Sequence, residues 1–533
     1  MAKPLPLKAI KCEQDLAALA LALIDESSLT TLERALGRGG QRFFDGIVLR
    51  EISRAVQAGE DPLGELFQAI RPAATRRQQG AIYTPAPIVS AMVGWAEGMG
   101  KFHRVVDPGA GSGRFLIAAA RKFPTAELVA VESDPLAALI LRTNLTQAGL
   151  IHRARIHVQD YRWVDVASID GRTLYIGNPP YVRHHDITQS AKLWFGKAAS
   201  RLGLNASKLA GLHVHFFLRT MELAQRGDCG CFITAAEWLD VNYGSAIRKA
   251  MLDGLGGQAL YILEPKVAVF PETMTTAAIV CFKPREWMAG MEVKGVRSLD
   301  ELAHLQGGRK IPRGELLRTS RWSVLVRPGA KQPRNYIELG ELFRVHRGQV
   351  TGANDVWIVS GETPELPATV LFPAVTRAVE IISSRGELTD SSQLRKVIDL
   401  PVDLSEIEPE WIPAVKRFIA WARARGADQT YIARHRLAWH SVGLYAPAPV
   451  LATYMGRRPP AFALNRCGAR HLNISHGLYP REPMTAGTLR ALVTWLNSNV
   501  ALAQGRAYAG GLVKFEPGEL ERVTIPPLAT FQS

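Results

Sequence analysis

Asn178-Pro179-Pro180-Tyr181 closes the apolar run Thr173-Leu-Tyr-Ile-Gly177 and combines residue types suited to gripping a planar amino group. An amino group on an aromatic base is a poor nucleophile because its lone pair is delocalised into the ring. Two acceptors pulling on its two hydrogens push the nitrogen toward sp3. The side-chain oxygen of Asn178 supplies one, and the carbonyl of Pro179 supplies the second, because proline fixes φ and restricts the residue before it. Pro180 stiffens the turn further, and Tyr181 offers a face on which a base can stack. Alone, the tetrapeptide also reads as a proline-punctuated loop after a buried strand.

The chain upstream decides between these readings. A strand, Arg104-Val-Val, ends in Asp107-Pro-Gly-Ala-Gly-Ser-Gly113, and an apolar helix follows from Arg114 to Phe123. Strand, glycine loop and helix are the first unit of a doubly wound nucleotide-binding sheet. A second strand, Glu127 to Val131, ends in Glu132, 19 residues beyond Gly113, where an acid takes the ribose hydroxyls of an adenosine-containing cofactor. A third, Arg155 to Val158, leads into Asp160-Tyr161, a carboxylate that can accept from an exocyclic amine and a ring that can cover a purine. Singly, each acid also reads as a solvated strand end. Together, Asp107, Glu132 and Asp160 mark the carboxyl edge where such sheets bind ligands.

In Gly109-Ala-Gly111-Ser-Gly113 the third glycine comes one residue early for a dinucleotide loop, and no phosphate-cradling lysine follows. That favours a cofactor without a pyrophosphate whose positive centre tolerates Asp107 nearby, S-adenosylmethionine. Further upstream, Gly80-Ala-Ile-Tyr-Thr-Pro85 reads as a helix start with Thr84 at the N-cap and Pro85 at the first helical position. A helix N-terminus with a hydroxyl can receive a carboxylate such as that of a bound amino acid.

In this order, Tyr83-Thr84-Pro85, the glycine loop, Glu132, Asp160 and Asn-Pro-Pro-Tyr resemble the gamma group of adenine-N6 DNA methyltransferases of type II restriction-modification systems. The resemblance extends from about residue 76 onward. It implies that Thr84 and the glycine loop hold the methionine part of the cofactor, Glu132 the ribose and Asp160-Tyr161 the adenine. It also implies that Phe270, in Val269-Phe-Pro271, stacks on the flipped base opposite Tyr181, where the bland reading is a core phenylalanine. Gly-Asp-Cys-Gly at 227–230 departs from the family's proline-glycine turn, and the polar loop 183–207 is unassigned. The target adenine must leave the duplex to react, at an unstacking cost of about a few kcal/mol.

The elements needed to position these residues are a seven-stranded, mostly parallel α/β sheet of Rossmann-like methyltransferase type and a C-terminal mixed α+β target-recognition domain, with duplex DNA between the two lobes. The expected organisation is a helical segment over 1–75, the methyltransferase domain over 76–290, a linker over 291–335 rich in glycine, proline and arginine, and the recognition domain over 336–533. Within the last, Arg347, Arg377, Arg457, Arg458, Arg466 and Lys514 are candidates for phosphate or base-edge contacts, although each alone also reads as solvated surface.

A formal net charge of +15 on 533 residues fits a polyanionic partner. Five cysteines, at 12, 229, 231, 281 and 467, match neither a disulfide framework nor a zinc site, so a reducing cytoplasm and no metal are expected. The apolar run Leu16 to Ile24 is too short to span a bilayer and reads as a buried helix. A monomer working with or without a cognate restriction endonuclease is expected. Cytosine C5 methylation would need a nucleophilic cysteine, typically after proline, and no cysteine here follows one. Open alternatives are a cytosine-N4 methyltransferase, an enzyme of RNA or of a protein glutamine, and a DNA-binding specificity subunit without turnover.

Overall fold

The computed structural model describes residues 10–531 apart from 26–28, 39, 41–43, 73–74, 76–82, 183, 206, 208–209, 241, 265–266, 268–276, 320, 327–334 and 508–511. It divides into two compact units, residues 1–328 with 509–511 and residues 329–508 with 512–533.

Among the described residues four helices open the first unit: α1 (Glu13–Ala22), α2 (Thr31–Leu36), α3 (Gly46–Ala58) and α4 (Pro62–Ile70). Their apolar stripes, including Leu16, Leu19, Ile52, Val56, Leu63 and Phe67, pack on Leu136, Leu139 and Ile140 of a later helix. The run from Leu16 is thus a buried helix, as read, and among the described residues no helix is long and apolar enough to cross a membrane.

After α5 (Ala86–Glu97), strands and helices alternate. The strands are β1 (Arg104–Asp107), β2 (Glu127–Glu132), β3 (Ala154–Val158), β4 (Thr173–Gly177), β5 (Cys229–Ala235), β6 (Gly257–Leu263), β7 (Ala277–Phe282), β8 (Gly290–Val296) and β9 (Arg309–Pro312). Between them lie α6 (Arg114–Lys122), α7 (Pro135–Gln147), α8 (Gln189–Arg201), α9 (Leu212–Leu223) and α10 (Ser245–Asp253). The order is β3-β2-β1-β4-β5-β7-β6-β8-β9, with β7 antiparallel to both neighbours. Alternation of side chains across the strands builds two cores. Val105, Leu128, Leu174 and Ile233 meet α5 and α6 on one face, while Val106, Val129, Phe232 and Leu260 meet α9 and α10 on the other.

Among the described residues the sheet therefore has nine strands where seven were expected. The two extra strands come from the stretch read as a linker: β8 runs parallel to β6, and β9 pairs antiparallel with β8. Glycine, proline and arginine suggested a linker there, but an outermost strand tolerates Pro312 at its end because no further strand asks for its missing N–H. Trp322, fully buried against the sheet's second core, shows that the described part of 291–326 belongs to this unit. A second difference is α8, which occupies most of the unassigned loop. Thr188 caps it, and it buries Ala191, Trp194, Phe195, Ala198 and Ala199 at helical spacing.

On β5 and β7, Cys231 and Cys281 lie opposite each other with Sγ atoms 3.6 Å apart. All five cysteines are free, and among the described residues no cluster could hold a metal ion.

The second unit mixes helices with short sheets. Its largest sheet has five strands, in the order 343–347, 475–480, 450–453, 462–465 and 387–388. Leu492, Val493 and Leu496 of the helix Ala486–Asn499 pack on Val450, Phe462 and Leu478.

Candidate active site

Strand order reverses on either side of β1, between β2 and β4, and at such a switch point the carboxyl ends of neighbouring strands open a crevice. A cavity of about 300 Å3 lies there, and Thr84, Gly109, Gly111, Glu132, Asp160, Tyr161, Asn178 and Pro180 all line it.

The glycine loop makes room for it. Gly111 has φ +53 and nothing within 4 Å of where a Cβ would be, so the loop presents bare backbone to the cavity. Gly113 has φ +92 as the N-cap of α6, and a Cβ there would meet Leu141 Cδ1 at 2.6 Å. The Gly111 amide donates to Glu132 Oε2 at 2.8 Å, and the Asp134 amide donates to Glu132 Oε1 at 2.8 Å. Glu132 thus fastens the glycine loop to the loop after β2. Burial pushes its carboxyl above the usual range against these amides, which lower it.

Asp107 lies behind the glycine loop, fully buried, and does not line the cavity. Its Oδ1 accepts from the Gly109 amide at 3.4 Å, whereas its Oδ2 has no partner among the described residues. Burial raises its pKa to about 8. A carboxyl so placed keeps its proton at neutral pH and adds no negative charge behind the loop.

Asp160 is held by its neighbour. Arg162 donates to both of its oxygens, with Nε at 2.9 Å from Oδ1. Burial would raise the carboxyl, but these hydrogen bonds outweigh it and hold the group below the usual range. Tyr161 lines the cavity together with Phe216, their ring centroids 5.3 Å apart, and its hydroxyl is 3.0 Å from Thr220 Oγ1.

At the end of β4, Asn178 Nδ2 donates to Thr84 Oγ1 at 3.1 Å. Helix α5 begins at Ala86 with Pro85 as its N-cap and no side-chain cap, one residue later than the sequence suggested. Thr84 therefore does not cap the helix, because its hydroxyl is engaged with the Asn178 amide. Pro179 is buried, and Gly177 lets the strand approach Asp107, whose Oδ1 lies 2.5 Å from the position of a Cβ there. Tyr181 does not line the cavity; its buried hydroxyl has no partner among the described residues, and its ring stands edge-on to His213 at 6.4 Å. Phe270 lies outside the described residues.

Sequence reasoning missed several cavity residues. Phe67 and Arg71, at the end of α4, line it, as does Tyr83. Asp61, the N-cap of α4, accepts from Gly64 N, Ser112 Oγ, Arg114 Nε and Asn144 Nδ2, bolting α4 to the glycine loop. Asp61-Pro62 is a helix-start signal, but nothing in the sequence alone says that this helix end faces a ligand.

In the second unit, Arg347 and Lys514 converge on one ring. The Arg347 guanidinium lies 5.3 Å and the Lys514 ammonium 5.6 Å from the Tyr454 centroid. Lys514 also pairs with Glu516 at 2.5 Å. Arg457 and Arg458 are exposed and line a small groove with Tyr454. Arg377 is exposed but pairs with Glu380 at 3.0 Å, and Arg466 is exposed on a separate turn.

Sheet order, glycine loop and the turn at Asn178 together define a methyltransferase-type α/β lobe. Comparison with known proteins makes this specific. The chain is 52% identical over 529 residues to the Type II methyltransferase M.XamI of Xanthomonas campestris pv. amaranthicola, covering 97% of this chain and 99% of that protein. It belongs to the methyltransferases of type II restriction-modification systems. Residues 161–263 match the Eco57I restriction-modification methylase family, and residues 316–533 match the C-terminal domain of Type II methyltransferase M.Eco57I. Among solved structures, the type IIL restriction-modification enzyme MmeI in complex with DNA aligns with a TM-score of 0.56 at 13% identity, over 95% of this chain and 80% of that one. The DrdV–DNA complex aligns at 0.52 and 13%, over 89% and 58%. At such identities these two likenesses speak for the fold alone.

Proposed function

We propose that this protein is a site-specific DNA adenine-N6 methyltransferase that uses S-adenosylmethionine and serves as the modification enzyme of a restriction-modification system. The observation that carries the reading is the Asn178 amide, set at the carboxyl end of β4 on the rim of the cavity and oriented by Thr84.

The residues present suit the cofactor. Gly109 and Gly111 offer bare backbone to the cavity, and Glu132 stands at the end of β2 for ribose hydroxyls. When bound, S-adenosylmethionine supplies a methyl group on a sulfonium, and S-adenosylhomocysteine is left. The chain's own part is to grip and present the base. Asn178 Oδ1 and the Pro179 carbonyl accept the two N6 hydrogens, which raises electron density on the nitrogen. Tyr181 and Phe270 provide stacking faces, each worth roughly 1 to 3 kcal/mol. One N6 proton leaves to solvent as the new N–C bond replaces it, so no covalent enzyme intermediate is needed.

The basic residues around Tyr454 suit contacts to duplex DNA. The test is to incubate the protein with unmodified DNA and methyl-labelled S-adenosylmethionine and to separate the product nucleosides by mass spectrometry. Label in N6-methyl-2′-deoxyadenosine is expected; label in N4-methyl-2′-deoxycytidine, or none in DNA, overturns the proposal.

A further inference from the structure

The amino-terminal helices look from sequence like an appended cap, yet α4 reaches the ligand cavity. Phe67 and Arg71 lie four residues apart at the helix end, and both line the cavity that Glu132, Ser133 and Asp134 also line. The Arg71 guanidinium sits 4.3 Å from the Phe67 ring centroid, and the Tyr83 ring stands 6.0 Å from Phe67. Three side chains from outside the sheet thus form one wall, in which Phe67 is almost wholly buried.

Arg71 has a defined task in this wall. Its Nε donates to Glu13 Oε1 at 2.8 Å, and its Nη1 donates to Asp134 Oδ2. Asp134 uses its other oxygen to cap α7, accepting from Leu136 N at 2.9 Å and Ala137 N at 3.1 Å. The same residue's backbone amide donates to Glu132 Oε1. One guanidinium therefore ties α1, α4 and the start of α7 to the carboxylate that closes β2. A buried cation between two acids is a strong constraint, because removing one member leaves the others unpaired in a poorly solvated place.

We infer that α4 is an integral wall of the methyl-donor site: Phe67 covers the adenosine end of the ligand, and Arg71 is a positioning residue that, through Asp134, fixes the orientation of Glu132 toward the ribose. The inference rests on the methyl-donor reading above and deepens it. It makes the amino-terminal helices part of the binding site, so that ligand binding and their docking are one event.

The test is calorimetric titration of the full-length protein with S-adenosylhomocysteine and with its 3′-deoxy analogue, without DNA. Losing one stacked face costs at least about fivefold in affinity, so Phe67→Ala should weaken both ligands by that factor or more. Arg71→Met should act differently. The native protein should prefer the hydroxylated ligand by about tenfold, one charge-assisted hydrogen bond, and Arg71→Met should shrink that preference to less than about threefold. A general loosening would weaken both ligands equally and leave the ratio intact. Val56→Ala, which cuts the same helical core away from the cavity, is the control for destabilisation and should leave both affinities within about twofold. Unchanged affinities in Phe67→Ala and an unchanged ratio in Arg71→Met, or losses in Val56→Ala equal to those in Phe67→Ala, overturn the inference alone. No binding by the native protein overturns the methyl-donor reading and this inference with it.

Discussion

Asn178 and Thr84, 94 positions apart in the chain, meet through a 3.1 Å hydrogen bond in which the amide nitrogen donates to the hydroxyl. The bond joins the end of β4 to the segment before α5 and fixes which way the amide faces. Asn178→Ala should abolish methyl transfer and leave affinity for duplex DNA nearly unchanged. Thr84→Val keeps the shape and loses the acceptor. It should lower kcat about tenfold, the worth of one hydrogen bond, while Thr84→Ser stays near native. Steady-state kinetics with a DNA-binding assay separates these outcomes.

Stability should respond to pH on both sides of neutrality. Burial raises the Asp107 carboxyl from 3.8 to about 8, so between those values the folded chain holds a proton that the unfolded chain has released. Its contribution is present at low pH and is lost as pH rises to 8. Burial lowers His213, His471 and His476 from 6.5 to about 4, so in that window the unfolded chain binds protons that the folded chain refuses. Their effect is to destabilise the fold as pH falls below 6.5. Melting temperature should therefore drop on acidification from 6.5 to 4, and the decline from 6.5 to 8 should flatten in Asp107→Asn. Parallel melting curves for native and variant protein across the upper window would refute the second part.

Arg347 should matter through charge. Removing one phosphate contact reduces the slope of log affinity against log salt by about one unit and weakens specific and non-specific DNA alike. Arg347→Ala is expected to do both. A loss confined to the cognate sequence would instead make Arg347 a base-reading residue.

Gly113 adopts a conformation that L side chains rarely take, and a methyl group there would press on Leu141. Gly113→Ala should destabilise the protein by about 1 to 3 kcal/mol, measurable by denaturant titration.

Strands β1, β2 and β4 were legible because buried parallel strands read as short apolar runs, and the polar residues Asp107, Glu132 and Asn178 mark where they end. Asn178, Glu132 and Asp160 could be placed on one edge from spacing alone. Thr84 illustrates the limit: a threonine before proline at a helix start advertises a cap, and only the folded chain shows its hydroxyl turned to an asparagine far away in sequence. Phe67 and Arg71 were invisible for another reason. On an amphipathic helix, a side chain facing a ligand and one facing a core obey the same periodicity. The edge strands β8 and β9 failed because an outermost strand tolerates the glycines and prolines that elsewhere mark a hinge.

The facing thiols of Cys231 and Cys281 give the sheet a built-in reporter. Burial holds Cys281 well above the ordinary thiol range, and Cys229 is raised as well. All three of these sulfurs are buried away from the reagent and should resist alkylation, while Cys12 and Cys467, each half-buried, are reached readily. Mass spectrometry of iodoacetamide-treated protein should show two quick additions and then a slow appearance of three more. The lag would time how often the centre of the lobe opens, without any engineered label.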